Sequence, residues 1–466
     1  MFHGLMAHPK RFTRWERELS RQTISVWCLI LCTAVLWGAW LLQATVERPT
    51  ALPDLRLWPF QSPRAAAAPQ PVKSAPLAKS VPTASASLPA EKMPFIRVGL
   101  LSEPVRSLTI EVSEAFVVRR VGSEKVLFRA GRIGPTTITA SASGLCIGKR
   151  EPLASPVEIV SAKSPAVWVE GHQYRGTVRL YRQGVGGVMA VNVLPLEDYL
   201  ASVIDSEMPV AFPLEARKAQ AIVARTYALY QQQIAERAAI ADLSASTRSQ
   251  KYLGYQYREG GRLLAGESEA GRQIAAATRG AVCHYRGKIF CTYYCAVCGG
   301  STVPGTEVFS DAAPPLKSVK CDFCRDARLY RWTAEISRAD MQKELEPWFR
   351  EKGWKPGTLK TVSQTRSNAK RSTLPEFDVR SEKQSMRITG SELRQILAGR
   401  GLYSPRFTIT DKGPVFEISG RGHGHGVGLC QWGARGLALE GRTSEQILGY
   451  YYPGSVLVTR VWKATK

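Results

Sequence analysis

The sequence predicts an α+β fold: a β-rich portion, then a core of mixed helices and strands, behind one transmembrane helix and a disordered linker. Three observations carry that expectation. Residues 24–42 form an apolar stretch without a charge, long enough to span the hydrocarbon core of a bilayer. Short β-like runs bounded by Gly, Ser or Pro recur across 95–193, as strands and turns do. Beyond 194, apolar residues fall at helical spacing, and runs of strands precede helices instead of alternating with them, which argues against a βαβ architecture.

The elements follow in chain order. Residues 1–23 are a basic tail with Lys10, Arg11, Arg14, Arg17 and Arg21, which the positive-inside rule keeps cytoplasmic. Residues 24–43 are the anchor. They carry Trp27, Trp37 and Trp40 and no Ala-x-Ala site, so they read as an uncleaved span and not a signal peptide. Residues 44–94, rich in Pro and Ala, cannot bury enough surface to order themselves and serve as a spacer. An extracytoplasmic domain is expected over 95–457, facing the periplasm or cell-wall space. It comprises the β-rich portion at 95–193 and a mixed helix/strand core at 194–457, and a tail closes the chain at 458–466. Helices are expected at 196–204 and 213–238, near 338–352, at 391–398 and from 434. The second has Pro213 near its first turn and the stripe Ala219, Val223, Tyr227, Tyr230, Ile234. Strands are expected through 358–388 and at 407–410 and 415–419.

Composition narrows the partner. Sixty-three Lys and Arg against 39 Asp and Glu give a net charge of +24, which favours a polyanion: nucleic acid, anionic lipid or acidic polysaccharide. A domain outside the cytoplasm does not meet nucleic acid, so membrane lipid and polysaccharide stay.

Three motifs carry chemistry. Glu207, within Ser206-Glu207-Met208-Pro209, is expected in a turn between two helices, closed by Pro209 and Pro213. Apolar neighbours such as Met208 and Phe212 would raise its pKa toward that of a general acid; the competing role is a capping or ion-paired glutamate. Asp205 is expected to be structural. The second motif is the glycine-histidine block at 420–434, GRGHGHGVGLCQWGA. Its glycines allow a backbone to approach a ligand closely. His423 and His425 fit either metal ligation from one strand face or hydrogen-bonded packing in a turn. The third lies at 291–324, where five of the ten cysteines crowd together. The pairs Cys295-x-x-Cys298 and Cys321-x-x-Cys324 point to structural zinc held by four thiolates, with two disulfides as the alternative in an oxidising compartment and Cys291 as a spare thiol.

The run from Asn192 to Ala228 resembles the SpoIID/LytB family of cell-wall enzymes and amidase modifiers. It matches at Asn192, Pro195-Leu196-Glu197-Asp198-Tyr199-Leu200, Ser206-Glu207-Met208-Pro209, Lys218-Ala219-Gln220-Ala221 and Ala224-Arg225-Thr226-Tyr227-Ala228. Tyr174-Arg175-Gly176 and Ser391-Glu392-Leu393-Arg394 also fit the family pattern. The glycine-histidine block is similar to the family's GWGHGxGxSQxGA, with His423 in place of Trp and Cys430 in place of Ser. The resemblance covers residues 95–457. It implies a lytic transglycosylase that cleaves the β-1,4 bond from N-acetylmuramic acid to N-acetylglucosamine on strands stripped of stem peptides. Glu207 matches the catalytic glutamate, and Gln220, Arg225, Thr226, His425 and Gln431 are expected at the substrate. Cys295-Ala296-Val297-Cys298-Gly299-Gly300 stands where members carry HSTxGG, some with zinc. The resemblance also implies a rival, non-catalytic reading, a glycan-binding enhancer of a cell-wall amidase. A hydrolase using His423 and His425 on a metal is a third. Denuded glycan carries one lactyl carboxylate per disaccharide, so a basic groove with Arg217, Lys218 and Arg225 would attract it. Sporulation, septum remodelling and daughter-cell separation all fit such an activity.

Overall fold

The structure, a computed structural model, describes residues 91–184, 186–355, 357–365 and 372–463, all within the unit Pro59–Lys466. The basic tail, the 24–43 anchor and the linker up to residue 90 lie outside the described residues. Among the described residues no helix is long and apolar enough to cross a membrane.

The expected α+β architecture is what the described residues adopt. Most of the β-rich portion folds into two seven-stranded sheets. One runs in the order Leu243–Ser244, Phe95–Gly99, Gly187–Pro195, Thr177–Gln183, Val157–Ser161, Phe116–Arg120, Val126–Ala130. The other contains Ser107–Val112, Ile133–Ser141 and Val167–Val169, and ends in a hairpin, Gln256–Glu259 with Arg262–Ala265, that lies beyond residue 193. Alternation sets which residues face inward: in Ser107–Val112 the residues Leu108, Ile110 and Val112 are buried while Ser107 and Thr109 are exposed, the period of a half-buried strand. The two sheets and the first two helices share one apolar core that includes Ile96, Val98, Val178, Leu180, Leu200 and Ile204. The ends of the domain reach past 95 and 457, because Glu91–Lys92 pairs in parallel with Trp462–Lys463.

Helix α1 spans Leu196–Glu207, three residues longer than 196–204. It stops where it must. Met208 precedes Pro209 and is extended (φ −131°, ψ 132°), as steric contact with a following proline ring demands. Helix α2 spans Leu214–Ile234, with Pro213 at its N-cap, and ends short of 238 because Ala235 leaves helical geometry (ψ 133°). Helix α3, Glu269–Ala277, was not apparent in the sequence; Ser268 caps it by accepting from the Gly271 N–H.

From Trp332 to Gly420 the chain builds an insert with its own core. Two three-stranded sheets, one of Trp332–Ser337, Val415–Gly420 and Phe407–Asp411, the other of Leu359–Gln364, Glu376–Ser381 and Ser385–Thr389, carry helices α4, Arg338–Glu351, and α5, Gly390–Ile396. Phe377, Phe416, Met341 and Leu345 fill its centre. Glu392 completes a capping box with Thr389 at the start of α5, so that part of the Ser391–Arg394 motif serves the helix. The chain returns through the glycine-histidine block to α6, Gln431–Leu439, and α7, Ser444–Tyr451. Both pack beside α2 around a third core that holds Cys283, Cys295, Cys298, Cys321, Cys324 and Cys430.

Candidate active site and thiol cluster

Glu207 is the last residue of α1, not part of a turn beyond it. Its position at the helix end, followed by the extended Met208, turns the carboxylate away from the helix surface into a buried setting where the residue is 8% exposed. The Lys251 backbone N–H donates to Oε1 at 2.7 Å, and the Gln431 amide donates to Oε2 at 3.3 Å. The Tyr294 hydroxyl also hydrogen-bonds the carboxyl group. Behind these stands a neutral network: Tyr199 donates to Gln250, Gln250 donates to Tyr294, and Gln431 also donates to Gln220. Burial raises the Glu207 pKa above the ordinary carboxylate value, opposed by the donors from Lys251, Tyr294 and Gln431 and by the Lys251 charge. A group in this state can hold a proton and release it to a bound oxygen.

Several residues expected at the substrate sit elsewhere. Arg225 has no exposed surface and is held by Glu197 through two hydrogen bonds of 2.9 and 2.7 Å. It cross-links α1 to α2 and cannot meet a glycan. Thr226 is fully buried, donates to the Ile222 carbonyl and accepts from the Cys283 N–H. Gln220 is fully buried and acts on Gln431, one layer behind the carboxylate. Arg217 is inside, paired with Asp205, and Lys218 pairs with Glu215 at 2.8 Å. The groove imagined from Arg217, Lys218 and Arg225 is therefore dissolved into ion pairs. Asp205 is structural as expected: its second oxygen accepts from the Ser268 N–H at 2.5 Å and ties α3 to α1.

His425 accepts at Nδ1 from the Val427 N–H, 3.0 Å, so Nε2 carries the proton. The ring packs edge-on to Phe309 and Tyr293, with centroids 5.0 and 5.9 Å away. Burial and the nearby Arg394 push its pKa, and that of His423, down to about 4, so both rings are neutral at pH 7. Neither belongs to a group of three or more metal donors among the described residues. The block is pinned by backbone bonds between His423 and Val297. Gly428 (φ +72°) is required: a Cβ there would lie 1.8 Å from the Tyr293 carbonyl oxygen.

The thiols assemble differently from the expected set. Cys298, Cys321, Cys324 and Cys430 place their sulfurs within 4.8 Å of one another, all buried and none in a disulfide. Cys430 replaces Cys295, because the strand Leu429–Cys430 lies parallel to Tyr294–Cys295 and carries the downstream thiol into the group. Cys298 and Cys324 sulfurs are 3.7 Å apart, close to the separation of about 3.8 Å that four thiolates about 2.3 Å from one tetrahedral zinc require. The N–H groups of Cys298 and Gly433 each donate to Cys430 Sγ at 3.3 Å, as suits a thiolate. The donor set fits a metal ion.

Residues 185–285 match the SpoIID (stage II sporulation protein) profile, and 317–428 match a domain of unknown function, DUF8618. An uncharacterised protein of Brachyspira hyodysenteriae is 32% identical over 271 residues, covering 58% of this chain and 68% of that protein. The stage II sporulation protein D of Bacillus subtilis is 27% identical over 271 residues, 57% of this chain and 75% of the relative. The chain belongs to the SpoIID family. Another relative, the amidase enhancer of B. subtilis, is 26% identical over 426 residues, 82% of this chain and 56% of the enhancer's own length. The SpoIID match contains Glu207, Gln220 and Lys251, whereas Tyr294 and Gln431 reach the carboxylate from outside it. Gln250, Lys251 and Tyr294 escaped sequence reasoning. The only signal for Tyr294 was its place beside Cys295 in the cysteine-rich segment, and Gln250-Lys251 lies in a polar loop without a pattern.

Proposed function

We propose that the chain is a peptidoglycan lytic transglycosylase that cleaves the N-acetylmuramic acid–N-acetylglucosamine β-1,4 bond of denuded strands, with Glu207 as sole acid and base. The observation that carries the reading is a buried carboxyl group of raised pKa whose hydrogen-bond partners among the described residues, Lys251, Tyr294 and Gln431, include no second acid. A glycoside hydrolase ordinarily sets two carboxyl groups across the bond. A transglycosylase needs one. Protonated Glu207 gives its proton to the glycosidic oxygen as the bond to C1 breaks. The carboxylate, received by Lys251, Tyr294 and Gln431, then takes the proton of the sugar's 6-hydroxyl as that oxygen closes on C1. The product end is 1,6-anhydro-N-acetylmuramic acid and no water is consumed. Mass spectrometry of digested denuded glycan tests this: anhydro ends should form with the wild type and vanish in Glu207→Gln. Reducing ends in their place would refute it.

The relative named amidase enhancer supports a second reading, a non-catalytic glycan-binding protein that stimulates a cell-wall amidase. Absence of any cleavage, together with faster stem-peptide release by an added amidase, would favour it. The thiol cluster is read as a structural zinc site held by Cys298, Cys321, Cys324 and Cys430. With four protein ligands the ion would cross-link chain segments and leave no position for a reacting water. The chain is placed at the cytoplasmic membrane as a single-pass protein through residues 24–43, its domain in the periplasm or cell-wall space. Fractionation of the full chain against one starting at residue 44 tests the anchor.

A further inference from the structure

We propose that the Cys298–Cys321–Cys324–Cys430 cluster, once it holds its metal ion, positions Gln431 against Glu207, so that metal occupancy sets the strength of the acid. The inference rests on the zinc and transglycosylase readings above.

The connection is short and continuous. Cys430 and Gln431 are consecutive, and Gln431 is the first residue of α6. The Cys430 sulfur is also the N-cap of that helix, accepting from the Gly433 N–H. A hydroxyl would cap α6 as well or better, so the thiol is explained by the cluster and not by the helix. Helix α6 lies directly on the Cys321 sulfur: a Cβ at Gly433 would stand 2.6 Å from Cys321 Sγ and 1.9 Å from Tyr451 Oη, and Tyr451 Oη is itself 3.1 Å from Cys321 Sγ. The paired strand contributes as well, since Leu429 pairs with Tyr294 and Cys430 with Cys295. Two of the donors at Glu207, the Gln431 amide and the Tyr294 hydroxyl, thus hang on one strand pair fixed by one sulfur. A metal–thiolate bond restrains a ligand's neighbours far more than a thiol in van der Waals contact does, and groups oriented by metal ligands are sensitive to loss of the ion. Gln431 is a positioning residue for Glu207, and Cys430 is what holds it in place.

The titratable groups facing Glu207 are Lys251, Tyr199, Tyr227 and Tyr294, of which Tyr294 alone belongs to the strand pair beside the cluster. The sign of the effect follows. Gln431 donates to the carboxylate and lowers its pKa, so releasing it raises the pKa and moves the basic limb of the pH–rate profile upward.

The experiment uses the full chain on denuded glycan. Bound metal is counted by mass spectrometry, and the cobalt(II)-substituted protein reports thiolate ligation by its charge-transfer absorption. Cys295→Ser should keep four-thiolate absorption and the wild-type profile. Wild-type protein stripped by a chelator, with its circular dichroism unchanged, should lose about ten- to a hundredfold in turnover, the worth of a hydrogen bond to a charged group. Its basic limb should move to higher pH, and both effects should reverse on readdition of zinc. Gln431→Leu should show most of that loss with the metal present and only a small further change when it is removed, through Tyr294 alone. Should stripping unfold the chain, Cys430→Ser at saturating cobalt serves instead, with three-thiolate absorption and the shifted limb expected. A folded, metal-free protein, or Cys430→Ser with cobalt bound, that keeps the wild-type turnover and limb overturns the proposal. Failures of the underlying readings look different: no metal bound by the wild type removes the zinc site, activity retained in Glu207→Gln removes Glu207 as the acid, and reducing ends in place of anhydro ends remove the transglycosylase.

Discussion

Two buried ionisable side chains on the same helix pair have opposite surroundings. Arg225 on α2 has no exposed surface, and every partner it has is fixed: Glu197 on both oxygens, the carbonyls of Ala275 and Ala281, and the Thr278 hydroxyl. Glu197 in turn accepts from the Trp462 indole and the Gly280 N–H. Glu207, at the end of α1, is nearly as buried, yet its donors are single bonds from the Lys251 N–H, the Gln431 amide and the Tyr294 hydroxyl, with the Lys251 charge nearby, and burial still drives its pKa up. Burial alone does not separate structure from chemistry here; how fully the partners offset it does. A pair that satisfies itself holds two helices together, whereas a carboxyl group whose donors do not offset its burial is poised to exchange its proton.

That contrast can be broken at either end. The largest effect belongs to Glu207→Gln, expected to lose about 10²- to 10⁴-fold in glycan cleavage, the usual worth of a general acid, with circular dichroism unchanged; a loss under tenfold would place the acid elsewhere. Next is Arg225→Met, which leaves Glu197 buried without its partner and should cost about 3–5 kcal/mol in urea unfolding while sparing the carboxyl network at Glu207. Third is the stability of Glu207→Gln itself. Because the folded pKa is raised above the unfolded one, folding favours the protonated form. The cost of burial is absent below the unfolded carboxylate pKa of about 4.3 and grows as pH rises through the folded value. Glu207→Gln should therefore melt higher than wild type at pH 7, by about 1 kcal/mol, and the gain should disappear by about pH 4. An equal gain at both pH values would mean that the carboxyl charge is not its source. The smallest effect is Lys218→Gln, which removes a solvent-facing pair with Glu215 and should shift stability by about 0.3 kcal/mol.

What the sequence shows and what it hides divide along physical lines. The Ser206–Pro209 motif located Glu207, and Pro209 explains why α1 ends beside it, since local sterics act between neighbours. The same block misplaced Arg225 and Thr226, because a motif marks which residues matter without telling a groove from a helix interface. Lys251 and Tyr294 could not be read, as they arrive from a polar loop and from a two-residue strand that no periodicity announces. The two CxxC pairs correctly flagged a thiol site but chose Cys295 over Cys430. Spacing sees near neighbours along the chain, and only the parallel pairing of Leu429–Cys430 with Tyr294–Cys295 brings the distant thiol in. Helices α3 and α7 were missed for a related reason: each is short and takes its stability from packing more than from pattern.

The insert has a consequence for the order in which the molecule forms. Cys324 precedes it and Cys430 follows it, so joining these sulfurs in an unfolded chain means closing a loop on the order of a hundred residues, an entropic cost that rises with loop length. In the folded insert Trp332 pairs directly with Gly420, so its two ends are already side by side. An insert that folds first on its own core delivers the thiols to one another and removes the cost of the search; captured metal would then register that the insert has matured.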